Sequence, residues 1–511
     1  MQRILMKKGI LFKLFFLFIF LSLTLNIFPQ QRRSQLSPEE NFRIVLHSIS
    51  GTDLYNYVKH ITDDKYKGRL SGTKEYQEVA EWLADWFKDS GVKPHGDNNT
   101  YFQYFDIPYI LVKKNCFVSL DIPVKNDTIQ KYYKYEDDFM PGSTSGSGKV
   151  KAEVVYVGYG VTAPELNYDD YKNVDVKGKI VLMEREVPVE PDKNPELFKK
   201  WRPYSFHQYK LENAVKHGAV GMLYNYGPIA NPNNAYNAHF IYSHVGNTVV
   251  KDIFKGTGKS HREVVEKIAK ELQPQSFYTG KIATIQNTTE YHPDGKAPTV
   301  IGYVEGSDPQ LKNEFIVISA HLDHVGQCYE TVPGANDNAS GVASMMGAAK
   351  ALANPAIHLK RSVMFIAFAG EEDGVVGSKY YIKNPEVPLE NTVCVMNLDG
   401  VGCGNRIWCL SGKNFPAFWS YINDANEKYV HGIVVPTEFS NLARPRLDAA
   451  RFLWAGVSTV SFNVSGAKSF YHIPKDDIST ITPEIMEQMS RILFLSAYEM
   501  ANADSVNFRS K

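Results

Sequence analysis

Cysteine is scarce in this chain of 511 residues, which contains only five. They are Cys116, Cys328, Cys394, Cys403 and Cys409, and an odd number leaves at least one without a partner inside the chain. Cys394 lies in an apolar stretch (TVCVMNL), where it fits as a small core residue. Cys403 and Cys409 are close enough in sequence to bridge a hairpin. We nevertheless do not expect disulfides to hold this fold together.

An excess of either charge is also absent, since 56 Lys and Arg residues balance 56 Asp and Glu residues. Without a basic excess or a basic run, the sequence does not indicate nucleic acid or anionic lipid as a partner. Apolar residues make up 43% and charged residues 22%, which is typical of globular domains and argues against disorder. The length favours two domains over one.

A hydrophobic run long enough to cross a membrane is missing as well. The apolar run from Leu14 to Phe28 is shorter than the ~20 residues that a membrane span needs. Four basic residues precede it: Arg3, Lys7, Lys8 and Lys13. This pattern predicts a signal peptide over residues 1–30, export to the periplasm or the outside, and no stable membrane insertion after its removal. The alternative is an uncleaved anchor, because no clear A-x-A cleavage site follows the run.

Two changes in the secondary-structure pattern of the sequence predict the domain organisation. The early chain is helical, as in GTKEYQEVAEWLADWFKDSG, where Val79, Leu83 and Phe87 recur at helical spacing and Gly91 is a natural stop. Around Met140 the segment PGSTSGSG indicates a boundary or a flexible turn, and strand-rich sequence follows it. We therefore predict that residues 31–139 and 281–511 form one α/β domain, and that residues 140–280 form a β-rich module inserted into it.

The late chain alternates strands with helices. FIVISA, SVMFIAFAG and VCVMNL are almost continuously apolar, and the helix SGVASMMGAAKALAN lies between the first two. Strands that are apolar on both faces indicate a mostly parallel sheet with helices on either side.

Three consecutive strands end in side chains that can bind a metal. His321 ends the first strand, Glu371 and Glu372 follow the second, and Asp399 follows the third. Asp337 lies near the start of the connecting helix and within reach. Each carboxylate alone is more often a helix cap or a surface group. Because ligands collect at the carboxyl ends of parallel strands, their joint occurrence predicts a metal site there.

A second histidine is needed, because this acidic set contains only one. His324, His358 and His431 are available, but His472 in SFYHIPKDD is preferred because it follows the strand STVSFNV by one short loop. Two imidazoles with several carboxylates suit Zn²⁺ or a similar ion better than Ca²⁺.

The residues at and beside the candidate ligands suggest different roles at the metal site. Side chains of Glu371 and Glu372 diverge at the end of a strand, so one can bind metal while the other serves as a general base. A carboxylate shared by two ions would hold them ~3.5–4 Å apart, with a water between them as the nucleophile. The His-x-Asp spacing places Asp323 on the same face as His321, where it can orient the site.

Five motifs carry a family resemblance. HLDHVG, GANDNASG, AGEEDGVVGS, NLDGVG and YHIPKDD occur in this order between about Gly302 and Asp477, with a looser match in GRLSGTKEYQEVAEWLADWF. They resemble the motifs of the co-catalytic zinc aminopeptidase family, which includes bacterial secreted leucine aminopeptidases and plasma glutamate carboxypeptidase. VVYVGYGV and KLENAVKHGAVGMLY resemble the protease-associated domain that is often inserted in this family.

The resemblance implies a three-layer α/β zinc-exopeptidase fold with a mostly parallel mixed sheet, interrupted by a β-rich protease-associated domain over residues 140–280. It also implies two Zn²⁺ ions per chain, with Asp337 bridging them. The implied metal ligands are His321, Asp337, Glu372, Asp399 and His472. Glu371 is the implied general base. Tyr471 matches a tyrosine that stabilises the tetrahedral oxyanion in some members, although a packed aromatic ring explains it equally well.

One segment departs from the family pattern. RPRLDAARF resembles R-S-D-H-x-x-F, and Arg446, Asp448 and Phe452 match it, but Leu447 and Ala449 replace the usual Ser and His. A substrate contact at Arg446 is therefore not carried over.

The implied function is that of an exported metallo-exopeptidase, an aminopeptidase that hydrolyses N-terminal residues from peptides with a di-zinc-activated water. A carboxypeptidase or dipeptidase on the same fold remains an alternative. A catalytically inactive, receptor-like binding protein and a single-zinc glutaminyl cyclase are two further alternatives. The sequence leaves the side-chain preference and the oligomeric state open.

Overall fold

The computed structural model describes residues 36–124, 127–438, 447–466 and 470–508. The predicted signal peptide and Arg446 lie outside these ranges. Residues from Leu46 onward form one compact unit, which carries the two large sheets. The α-helices of the described residues are Pro38–Ser48, Gly51–Ile61, Lys74–Asp89, Pro195–Trp201, His207–Lys216, Asn247–Phe254, His261–Glu271, Ser340–Leu352, Val376–Lys383, Pro416–Tyr429, Asp448–Trp454 and Pro483–Asn502.

The early helices form where their sequence predicts them. Ser50 and Thr73 cap the helices Gly51–Ile61 and Lys74–Asp89, because each hydroxyl accepts a backbone N–H of the first turn. The second helix ends just before Gly91, which has a φ of 84° that favours glycine. Its apolar stripe, including Val79, Leu83 and Phe87, is fully buried.

Nine strands of the described chain form the first sheet, which we call the large sheet. In spatial order they are Lys93–Pro94, Lys296–Val304, Ser362–Phe368, Phe315–His321, Thr392–Leu398, Thr459–Ser465, Arg406–Leu410 and Val434–Pro436, with Phe102–Asp106 also paired to the second of these. The four central strands run parallel, whereas the strands toward both edges pair largely antiparallel. This is a mixed sheet with a parallel centre, as the fold prediction has it.

Helices cover both faces of the large sheet. On one face Tyr381 and Phe452, from two short helices, pack with Val317 and Met364 of the central strands. Phe365 points to the opposite face, where its ring centroid lies 6.2 Å from that of Phe87. The centre of the sheet is therefore buried on both sides, which explains its continuous apolar strands.

The register of the parallel strands brings their carboxyl ends together. His321 pairs with Phe368 of one neighbouring strand, and Ala320 pairs with Leu398 of the other. Side chains that follow these positions therefore collect at one edge of the large sheet. All the strand-end residues singled out above belong to that edge.

The second sheet, here the insert sheet, has eight strands among the described residues. Their spatial order is Asp127–Tyr132, Phe117–Val124, Phe277–Asn287, Gly148–Tyr156, Ile180–Glu184, Gly221–Asn225, Ile241–Val245 and Phe139–Pro141. The chain thus enters this sheet at Phe117, earlier than the predicted boundary at residue 140. The Gly/Ser-rich segment that suggested the boundary is a turn inside the insert.

Smaller features complete the fold. A four-stranded sheet contains Thr289–His292, Tyr109–Val112, Gln327–Cys328 and Glu330–Thr331, and a two-stranded one contains Thr162–Ala163 and Tyr168–Asp169. All five cysteines carry free thiols, so Cys403 and Cys409 form no bridge. Across the described ranges, every helix is too short or too polar to span a bilayer.

Candidate metal centre

The candidate site lies at the carboxyl edge of the large sheet. His321 is the last residue of the strand Phe315–His321, and Asp399 directly follows Thr392–Leu398. Glu371 and Glu372 begin the loop after Ser362–Phe368. Asp337 lies in a turn that leads into the helix Ser340–Leu352. The structure brings all of them together with His472 and Tyr471, which come from the loop after Thr459–Ser465.

A first cluster forms around His321. Its Nε2 atom lies 3.3 Å from Oδ1 of Asp337 and 3.7 Å from Oδ1 of Asp399. Its Nδ1 atom lies 3.2 Å from the carbonyl oxygen of Asp323 and 3.6 Å from that residue's Oδ1. Asp323 therefore orients the ring so that Nε2 faces the two carboxylates. We call His321, Asp337 and Asp399 the strand cluster.

A second cluster forms around His472. Its Nε2 atom lies 2.9 Å from Oε2 of Glu372 and 3.4 Å from Oδ2 of Asp337. Asp337 thus directs one carboxylate oxygen toward His321 and the other toward His472. We call His472, Glu372 and Asp337 the loop cluster.

The ligand atoms have the spacing that zinc requires. Nε2 of His321 and Nε2 of His472 are buried and make no hydrogen bond among the described residues, although each faces two carboxylate oxygens. Ligands held at ~2.0–2.1 Å by a tetrahedral ion are ~3.3 Å apart, close to the distances in both clusters. Unsatisfied imidazole nitrogens among carboxylates are also the donor set that zinc prefers. The residues present therefore fit zinc.

The electrostatics of the clusters favour added positive charge. Burial would lower the pKa of His321, but Asp323, Asp337 and Asp399 outweigh it and raise that pKa well above its ordinary value. Burial likewise opposes protonation of His472, whose pKa Glu372 and Asp337 nevertheless raise well above the ordinary value. In the protein without metal, the clusters thus attract protons to their imidazoles. The same negative electrostatic potential would favour the binding of divalent cations.

Glu371 differs from its neighbour Glu372. Burial raises the pKa of Glu371 well above its ordinary value; the charge of His321 opposes this, while Asp399 and Glu372 add to it. In Glu372 the opposite balance holds, because His472 and His324 outweigh burial and lower its pKa to about 2. One glutamate is thus prepared to hold a proton and the other to stay ionised. The roles assigned to the adjacent pair, one metal ligand and one general base, stay a prediction.

Tyr471 borders the opening of the site. Its ring stacks on that of His472, with centroids 3.6 Å apart, and its side chain is 47% exposed. It lines a cavity of about 340 Å³ together with the acidic residues and with Leu447, Val464 and Phe470. Tyr471 is therefore accessible to a bound molecule and is not a packed core residue.

Three supporting residues were not assigned a role from the sequence. His324 is fully buried, and its Nδ1 atom lies 2.7 Å from Oε1 of Glu372. Asp476 accepts the backbone N–H groups of Asn336 and Asp337 at 2.9 and 3.0 Å. Arg69 is buried and donates to the carbonyl groups of Leu322, Pro333 and Gly334.

All three supporting residues lie within motifs that were quoted for the resemblance. Their types alone did not distinguish them from surface residues, because their roles depend on groups that other segments supply: the Glu372 carboxylate for His324, and backbone groups for Asp476 and Arg69.

Two family models match the chain. The model of peptidase family M28 matches residues 299–497, which include every residue of both clusters. The model of the PA domain matches residues 150–253, which lie in the insert.

Curated relatives align with part of the chain. Aminopeptidase YwaD of Bacillus subtilis is 27% identical over 198 residues, which are 36% of this chain and 41% of the relative. Leupeptin-inactivating enzyme 1 of Streptomyces exfoliatus is 30% identical over 158 residues, 30% of this chain and 32% of the relative. The alignments thus span about two fifths or less of these relatives.

Solved structures share the fold over nearly the whole chain. A peptidase M28 precursor from Shewanella amazonensis has a TM-score of 0.63 at 18% identity, with 93% of this chain and 99% of that chain covered. An aminopeptidase from Aneurinibacillus sp. strain AM-1 has a TM-score of 0.62 at 19% identity, and a zinc aminopeptidase from Bacillus subtilis has 0.60 at 19%. Both cover 91% of this chain and 98% of their own. Residues 299–497 of the chain are therefore similar to peptidase family M28, and residues 150–253 are similar to the PA domain.

Proposed function

We propose that this chain is an exported metallo-exopeptidase, and specifically an aminopeptidase that removes N-terminal residues from peptides with two zinc ions. The observation that carries the proposal is Asp337, whose two carboxylate oxygens face Nε2 of His321 and Nε2 of His472. One carboxylate between two imidazole–carboxylate clusters is the arrangement expected of a two-metal hydrolase. The names of the relatives, which include aminopeptidases, support the same assignment.

The five ligands divide between two ions. His321 and Asp399 would hold one zinc ion, His472 and Glu372 would hold the other, and Asp337 would serve both. His324 keeps Glu372 in place through its 2.7 Å contact. When bound, the two ions would supply Lewis acidity that polarises a peptide carbonyl and acidifies water.

Glu371 is the proposed general base. In the first step it accepts a proton from the attacking water as the C–O bond forms. In the second step it gives that proton to the leaving amine as the scissile C–N bond breaks. The raised pKa of Glu371, which burial causes, lets it hold that proton between the two steps. Hydrogen bonds from the N–H groups of Glu371 and Glu372 to the Asp323 carboxylate, both 3.3 Å long, keep the segment in place.

Tyr471 and the acidic rim are the proposed substrate contacts. The phenol of Tyr471 would donate a hydrogen bond to the oxyanion, which its place at the mouth of the cavity allows. The carboxylates of the site would attract the free α-amine of a peptide. This preference for a cationic end is the reason for favouring an aminopeptidase over a carboxypeptidase.

The domain assignment and the export of the protein are part of the same proposal. Residues 117–287, which contain the strands of the insert sheet, would form the protease-associated domain. The flanking residues 31–116 and 288–511 would form the peptidase domain, and residues 1–30 would be a cleaved signal peptide. Determining the N-terminus and the cell fraction of the mature protein tests the last of these. An intact Met1 in the cytosolic fraction would contradict it.

The activity is tested with matched peptides. Purified protein with measured zinc content is given one peptide with a free N-terminus, the same peptide N-acetylated, and the same peptide C-amidated. We expect two zinc ions per chain and cleavage of the free and amidated peptides but not of the acetylated one. Cleavage that requires a free carboxylate would indicate a carboxypeptidase instead. One zinc ion per chain, without peptide cleavage, would favour a cyclase.

A further inference from the structure

A loop of the insert reaches the loop cluster. Nδ1 of His472 donates a hydrogen bond to the carbonyl of Ala230 at 2.8 Å, and the N–H of Ala230 donates to the carbonyl of His472 at 3.0 Å. Both residues are buried. His472 has a φ of 57°, a backbone conformation that non-glycine residues seldom adopt without support. The reciprocal pair of bonds supplies that support from a loop of the insert.

The Ala230 carbonyl is itself held in place by Ser143. The N–H of Asn231 donates to Oγ of Ser143 at 3.0 Å. This N–H and the Ala230 carbonyl belong to the same planar peptide unit, so anchoring one sets the direction of the other. Ser143 is 6% exposed and lies in the Gly/Ser-rich segment PGSTSGSG. Its hydroxyl therefore determines where the acceptor of the His472 proton points.

The loop is further attached on both sides. Asn231 accepts the N–H of Asn233 at 2.9 Å, and Gln208 donates to the Asn233 side chain at 2.5 Å. Asn233 in turn lies close to the loop that carries Glu371 and Glu372. A Cβ atom on Gly374 of that loop would lie 2.9 Å from Oδ1 of Asn233. The insert thus contacts both segments whose residues belong to the loop cluster and not to the strand cluster, namely those of Glu372 and His472.

The strand cluster has no comparable contact among the described residues. Nδ1 of His321 faces Asp323, which is two positions away in the same segment. A metal-binding histidine needs its second ring nitrogen oriented by a partner, and such partners affect metal affinity. The two histidines therefore have partners from different domains.

We propose that Ser143 is a positioning residue for His472, acting through the Ala230–Asn231 peptide, so that the insert sets the zinc affinity of the loop cluster. This rests on the proposed two-zinc function. Ser143 touches neither metal nor substrate and holds the acceptor that fixes the tautomer and direction of the imidazole. The inserted domain is in this respect a part of the metal site.

The test measures zinc dissociation constants of metal-free full-length protein by competition with a chelating dye. Two backgrounds isolate the clusters: Asp399→Ala leaves the loop cluster, and Glu372→Ala leaves the strand cluster. In the first background we expect Ser143→Ala to weaken zinc binding by about 10-fold, at the low end for partners of ligands. In the second we expect no change. Ser143→Thr, which keeps the hydroxyl, should restore the affinity.

Ser145→Ala is the matched control. Its hydroxyl is also buried and accepts a backbone N–H of the insert, that of Tyr242 at 3.1 Å, but it has no connection to His472. It should lower stability without changing either zinc constant. Equal weakening in both backgrounds, or equal effects of Ser143→Ala and Ser145→Ala, would overturn the inference alone. Absence of zinc binding by the wild type would overturn the proposed function as well.

Discussion

The strand cluster and the loop cluster share Asp337 but differ in what holds their histidines. His321 ends a central strand of the large sheet, and its second nitrogen faces Asp323 in the same segment. His472 lies in a loop with a positive φ, and its second nitrogen donates to a carbonyl 242 positions away in the sequence. One ligand is thus supported locally and the other across two domains.

If the proposed function holds, the inserted domain is part of the metal site without providing a ligand. Strand register brings His321 and Asp399 of the strand cluster to the same edge of the large sheet. The loop cluster needs an additional contact, because a loop residue has no such register. We therefore expect the two clusters to respond differently to changes outside the large sheet and similarly to changes at the residues they share.

The largest effect should come from removing the shared ligand. Asp337→Ala takes one carboxylate oxygen from each cluster, so zinc content should fall from two ions to less than one per chain. Activity should fall by at least the ~10⁴-fold upper range for a single general base, because both ions and the base are affected. Metal analysis and peptide cleavage measure this. Retention of one tightly bound ion would mean that one cluster is complete without Asp337.

The next largest effect should leave both clusters intact. Glu371→Gln removes the proton acceptor but no proposed ligand, so kcat should drop by ~10²–10⁴-fold while two zinc ions remain bound. The adjacent substitution Glu372→Gln is the control, since it should lose the ion of the loop cluster. If Glu371→Gln also loses an ion, Glu371 is a ligand, which its closeness to His321 and Glu372 would permit.

The meeting of the clustered residues was predictable from the sequence where their positions follow from strand order. Near-continuous apolar strands indicate a parallel sheet, and the residues after each strand must then meet at one edge. His321, Glu372 and Asp399 illustrate this directly. Asp337 and His472 were singled out by their places, near the start of the connecting helix and one short loop after a strand, and the family motifs then implied their roles.

The supports of the ligands were not predictable, because they are long-range contacts of backbone groups. Ala230 carries no functional side chain, so nothing in its residue type indicates that its carbonyl accepts a proton from His472. The early entry into the insert sheet has a similar cause. Phe117–Val124 pairs with Phe277–Asn287, more than 150 positions later, whereas the composition changes only near Met140.

A smaller effect should reach both clusters at once. The Asp323 carboxylate faces Nδ1 of His321 and accepts the N–H groups of Glu371 and Glu372. Asp323→Asn should therefore weaken zinc binding by ~10–100-fold in both single-cluster backgrounds, unlike Ser143→Ala. Zinc titration of the same backgrounds measures it. An effect confined to the strand cluster would show that the backbone contacts to the glutamates do not matter for affinity.

The smallest effect concerns the stability of the insert, where His244 lies buried in the strand Ile241–Val245. Burial, with a contribution from the charge of His472, lowers the pKa of His244 from 6.5 to about 3. Below pH 6.5 the unfolded chain therefore binds a proton at His244 that the folded chain does not bind until the pH is near 3. The contribution of this group to the free energy of unfolding is fully present above pH 6.5 and declines as the pH falls toward 3.

Between pH 8 and pH 5 this group should cost wild-type protein about 2 kcal/mol of unfolding free energy. His244→Leu should remove that decline, whatever its own stability at pH 8. Denaturation of the metal-free wild type and of the variant at pH 8 and pH 5 isolates the contribution of His244. The histidines of the two clusters titrate in both proteins, so their effect cancels in the comparison. Equal declines would mean that His244 is protonated in the fold.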